Sequence, residues 1–262
     1  MKFALATGLA CLLTANAALA ADCSAQLPAW LEQAYPGQEG GAWLEDGRGA
    51  YRVDAGQSVC KVWPARPQLT LIAVPLVREA QRDYGQTDLE ILVLDNVRQA
   101  LVARLIEPHL LDWDAIYVAG LAFDTAPYRL RGDDLAFGLR ISRENSSRAN
   151  SFSETQLHLY ELQAQGVRPL LAELPVYRYW SEWDTTCAGD FSETKGVVII
   201  TERPGHDGYR ALLLKLTDTG RRTAEVAGEC QAVEQSSQRS QFSIEYGEDR
   251  YLLPIELVAD PL

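Results

Sequence analysis

From residue 69 onward, apolar and polar positions alternate with period two in short runs broken by Gly, Pro, Asp and Asn, as in closely spaced antiparallel strands. The clearest runs are 69–77, 89–95, 99–106, 116–123, 135–141, 156–162, 167–174, 176–183, 196–202, 209–216, 242–246 and 251–257. Upstream the period changes. Leu27, Trp30, Leu31, Ala34 and Tyr35 recur at three and four residues, with Ser24 placed to cap, Pro28 early and Pro36-Gly37 to stop the turn. The pattern therefore predicts an all-β chain with one short N-terminal α-helix. The polar stretches 78–87, 142–155, 184–195 and 231–241 read as its longest loops.

Strand, insertion, strand, tight turn and strand recur three times, at a spacing of roughly 60 residues. The units cover 50–112, 115–174 and 176–227, and Phe-Ser-Glu-Thr stands before a strand twice, at Phe152 and Phe191. Antiparallel meander repeats that cannot bury both faces alone must stack on one another, and radial stacking gives a small β-propeller-like array. The terminal strands 42–53 and 242–257 would close that ring. A β-sandwich is the alternative, because it uses the same strand signals. In a radial array the long loops gather on one rim, where such scaffolds recognise partners.

Residues 1–20 carry Lys2, an apolar stretch from Phe3 and the small-x-small ending Ala18-Leu19-Ala20, which predicts a signal peptide cleaved before Ala21. Asp22 stands where a lipid-attachment signal wants a small residue before Cys23, so the expectation is a soluble protein, periplasmic or secreted, made of one all-β domain over 21–262. That export changes how the cysteines read. Cleavage removes Cys11 and leaves Cys23, Cys60, Cys187 and Cys230, an even set bound for an oxidising compartment. Two disulfides are expected, and proximity favours Cys23 with Cys60 and Cys187 with Cys230. No Cys-x-x-Cys or Cys-His spacing suggests a metal, and no cofactor is expected. After residue 20 no apolar run approaches a membrane span, which argues against membrane insertion. The net charge of −12 disfavours nucleic acid and favours encounter with a protein or peptide, cationic by long-range attraction. Nothing in the pattern fixes an oligomeric state.

Catalytic spacing is sparse. His158 lies opposite the phase of Leu157 and Leu159 and should face outward, and His206 sits in the turn Pro204-Gly-His-Asp-Gly208. His109 with Asp112 and Asp114 is where a histidine, two carboxylates and an aromatic crowd together, which makes these three the candidates for a carboxylate- or histidine-based hydrolase, for instance on glycans. The run Tyr177-Arg-Tyr-Trp-Ser-Glu-Trp183 offers a different chemistry. On a strand Tyr177, Tyr179 and Trp183 share one face and Trp180 takes the other, so these four are the candidate anchors for a partner. The balance favours a binding protein, such as an inhibitor, an immunity-type protector or an envelope accessory factor, over an enzyme.

Overall fold

A computed structural model describes residues 23–258. After helix α1 (Leu27–Ala34) come β1 (Leu44–Asp46), β2 (Gly49–Val53), β3 (Val59–Val62), β4 (Leu69–Ala80), β5 (Gly85–Asp95) and β6 (Ala100–Glu107). They form an antiparallel sheet in the order β1-β2-β4-β5-β6, with β3 also pairing to β4. The second sheet holds β7 (Ile116–Arg131), β8 (Asp134–Asn145), β9 (Phe152–Gln163), β10 (Gly166–Trp183), β11 (Gly189–Pro204), β12 (Arg210–Val226), β13 (Glu229–Gly247) and β14 (Arg250–Leu252). It is an uninterrupted antiparallel meander from β7 to β14, followed by the single turn α2 (Ile255–Val258).

The apolar run at β4 and β5 has a direct cause: both faces of these strands are covered. Leu71, Ala73, Leu89, Ile91 and Val93 pack toward Phe123, Phe137, Leu139, Ile141 and Tyr160 of the second sheet, around a fully buried Trp63. Ile72, Val74, Leu76, Leu92 and Leu94 face Trp30, Leu31 and Tyr35 of the helix instead. α1 begins at Leu27, with Gln26 rather than Ser24 at its N-cap, and the disulfide Cys23–Cys60 ties its approach to β3. Two buried acids lie on the helix-covered side, and each has a cation. Asp88 bonds Arg78 and Arg48, and Glu90 takes Arg104 and the Tyr35 hydroxyl, the latter at 2.6 Å.

The second sheet curls into a half-barrel. Its inner lining includes Leu157, Leu159, Leu171, Leu174, Leu212, Leu214 and Ile244, with Tyr209, Tyr246 and Tyr251 at one end. Arg131 bridges to Tyr209, bringing the end of β7 to the start of β12. β10 supplies the bend. Its register slips near Pro169, before Leu174 and after Pro175, and Glu173 takes a positive φ of 56°. A proline cannot donate to the ladder, so both prolines sit where pairing is already broken.

The mostly β, antiparallel character and the short helix agree with the hydrophobic pattern, but the strands do not form a radial array of separate sheets. Strands from 115–174 and 176–227 lie in one sheet, continuous across β10 and β11. The expected loops also need correction: 189–195 belongs to β11, 231–241 is the middle of β13, and β4, β5, β8 and β9 reach well into 78–87 and 142–155. Within 231–241 the polarity reflects a strand that is exposed through residue 239, whereas 81–84 and 146–151 lie outside the strands. The proposed signal segment lies outside the described residues. Among the described residues no helix is long and apolar enough to cross a membrane.

Candidate functional site

β10 to β13 run past the half-barrel core as a ribbon, flanked on the β10 side by the start of β9; from Glu229 to Arg239 every residue of β13 is exposed. The 184–188 turn and the start of β13 meet at its tip, where Cys187 and Cys230 are joined across 43 residues of sequence. The two pairings seen are the ones proximity favours.

Register decides which side chains share a face here. Tyr179 stands opposite Glu193, which faces Thr219, which faces Ser237; one row nearer the tip, Phe191 faces Arg221 and then Gln235. These rows and Tyr177 line an open groove of about 810 Å3, within the range of ligand sites. Burial, followed by the neighbouring charge of Glu193, raises the Tyr177 hydroxyl above its usual range and keeps it a neutral donor. Lys195 bonds Glu193 at 2.8 Å, while the Arg221 guanidinium lies 4.7 Å over the Phe191 ring. Gly220, in the row of Ser192 and Ser236, leaves room on the opposite face for the Ser236 hydroxyl, which lies 2.6 Å from where a Cβ would stand.

Trp180 takes the opposite face, as alternation requires, beside Glu182, Asp190, Arg222 and Glu234. There Arg222 bridges Asp190 and Glu234 at 2.7 and 3.3 Å. Trp183 belongs to the tip, where its N–H donates to Ala149 and its side chain lies against Gly189. The four aromatic candidates thus divide, with Tyr177 and Tyr179 lining the groove. Sequence reasoning missed Phe191, Thr219, Arg221, Gln235 and Ser237, which lay in a presumed loop or carried no apolar period. The repeated Phe-Ser-Glu-Thr was the available signal: 152–155 and 191–194 flank the aromatic run of β10 from its two sides.

The His109 region is built differently. His109 has a φ of 61° in a tight turn and its Nδ1 lies 3.1 Å from Asp112, both well exposed. The other Asp112 oxygen accepts the Thr87 N–H, Asp88 accepts the His109 N–H, and Asp114 caps the Ile116 N–H. Trp113 pairs its backbone with Gly85, where a Cβ would collide with the indole nitrogen. His109 and Asp112 therefore meet, Asp114 does not join them, and each carboxylate holds backbone. Trp113 and Asp114 also line a cavity of about 370 Å3 with Arg52, Asp54 and Tyr117.

His206 is in an exposed turn, but His158 is not outward-facing. It is fully buried, and among the described residues neither ring nitrogen has a partner. Alternation fails as a guide to exposure there because β9 is covered on both sides: Leu157 and Leu159 line the half-barrel, and Tyr160 faces the inter-sheet core. Among the described residues no three His, Cys, Asp or Glu side chains gather to hold a metal. Compared with protein-family models, curated proteins and solved structures, the chain matches none of them.

Proposed function

We propose that this is an exported binding protein, periplasmic or secreted, that holds a polypeptide segment of another macromolecule in the groove of its β10–β13 ribbon. The observation that carries the reading is the ribbon itself. Ordering strands costs conformational entropy that burial normally offsets, yet these strands extend beyond any core and are tied at the tip by a disulfide. A fold that keeps such an element stiff presents a preorganised surface, and binding to it loses little further freedom. Tyr177, Tyr179 and Phe191 provide the large, rigid side chains that dominate recognition energies. The two disulfides suit the oxidising compartment that export implies.

The test is site-specific photo-crosslinking in the producing cell. A photoreactive side chain at Thr219, inside the groove, should give a discrete adduct that disappears in the Y179A background. One at Val97, exposed on the β5–β6 turn, should give none. Equal adducts from both positions, or none from Thr219, would overturn the reading.

A further inference from the structure

The arginines of the ribbon are not equivalent. Arg178 bonds Glu154 at 2.6 Å, and Arg222 is held between Asp190 and Glu234. Arg221 is exposed and stacks on Phe191, and Arg239 stands exposed on β13 in the row of Tyr177, Lys195 and Thr217. Among the described residues neither Arg221 nor Arg239 has a carboxylate within ion-pair distance, although the chain carries 36 acidic residues against 24 basic ones. With Lys195 already neutralised by Glu193, the face is left with two uncompensated guanidinium groups beside three aromatic rings. A guanidinium stacked on a ring keeps its in-plane N–H groups free, and their fork geometry fits a carboxylate.

The backbone beside the groove adds a second feature. β13 pairs with β12 along its length but with β14 only at Glu245 to Gly247. Among the described residues nothing pairs with its outer edge from Glu229 to Ser243, and Gln235, Ser236 and Ser237 of that edge strand line the groove. An open edge offers alternating N–H and C=O groups, which an extended polypeptide can match and a polysaccharide cannot.

We propose that the groove and the adjoining β13 edge take an acidic, extended polypeptide segment, with its carboxylates on Arg221 and Arg239. This rests on the groove being a polypeptide-binding site, and it names the chemistry of the occupant. The local charge is opposite in sign to that of the whole chain, so long-range attraction and contact recognition select different ligands.

The experiment uses the mature, disulfide-bonded protein and three probes: a fluorescein-labelled decapeptide of alternating Glu and Thr, the same peptide with Lys for Glu, and labelled polygalacturonate. Fluorescence anisotropy should show binding of the Glu peptide. R221Q and R239Q should weaken it about threefold each, the scale of exposed ion pairs, and together about tenfold. R222Q, on the opposite face, should leave it unchanged. If the Lys peptide binds as well as the Glu peptide and is lost in Y179A, the groove is a polypeptide site but the acidic assignment falls. If polygalacturonate alone binds, with loss in R221Q, the polypeptide assignment falls. If no probe binds while the Thr219 crosslink persists, the acidic assignment falls and the groove reading stands.

Discussion

A neutral imidazole normally keeps at least one hydrogen bond when it leaves water, and among the described residues His158 finds none. Burial, followed by the charge of the neighbouring Arg143, lowers its pKa from 6.5 to about 4. Glu107, on β6, bonds the Tyr160 hydroxyl two residues along β9 and is itself raised by burial. The unfolded chain takes up the His158 proton more readily than the folded one. The stability that neutral His158 confers is therefore fully present above about pH 6.5 and is lost as pH falls toward 4. By pH 5 that loss is about 2 kcal/mol. His158→Leu should remove this part of the slope, so urea midpoints taken at pH 7 and pH 5 should separate further for the wild type than for the variant. Equal separations would show that the ring is not held neutral.

At the scale of elements, Cys187–Cys230 stiffens a ribbon that has no core beneath its distal half. Closing a loop of this length contributes about 4 kcal/mol in the chain-entropy picture. Here the constraint falls on one region, so the C187A/C230A double variant should lose amide protection from the tip inward along β11, β12 and β13. β4 and β5, buried on both faces, should keep theirs. Hydrogen exchange read by mass spectrometry resolves the two regions, and uniform loss of protection would refute a separately tied ribbon. The same division explains what was legible in the sequence. Strands such as 69–77 and 89–95 were readable because core contacts imposed apolar residues on them. In β13, 231–241 is Gln, Ala, Val, Glu, Ser and Arg with no period, because neither face meets a core, and strand geometry there leaves no hydrophobic trace. The groove inherits that opacity. Tyr177 and Tyr179 stood out as aromatics, whereas Arg221 and Gln235 acquire meaning only through cross-strand register. The bulge that inserts one residue, Val233, between Ala232 and Glu234, the partners of Thr223 and Arg222, is likewise invisible to alternation, and it twists an otherwise open edge.

For the whole molecule, two electrostatic ranges compete. The net charge of −12 repels an acidic peptide at a distance, while Arg221 and Arg239 attract it on contact. Salt separates the two, because the screening length shortens from about 30 Å at 0.01 M to about 10 Å at 0.1 M and so removes the distant repulsion first. The association rate of the Glu–Thr decapeptide should therefore rise, by about two- to threefold between 10 and 150 mM salt. Its dissociation rate should rise as well, because the exposed contact pairs weaken. In R221Q/R239Q the association rate should keep its rise with salt while the dissociation rate loses most of its dependence. The Lys–Thr peptide should behave in the opposite sense, associating more slowly as salt increases. Stopped-flow anisotropy measures both rates. An association rate for the Glu–Thr peptide that falls with salt would mean that the local guanidinium groups, not the acidic whole, govern the approach. The long-range field would then have no part in selecting what reaches the groove.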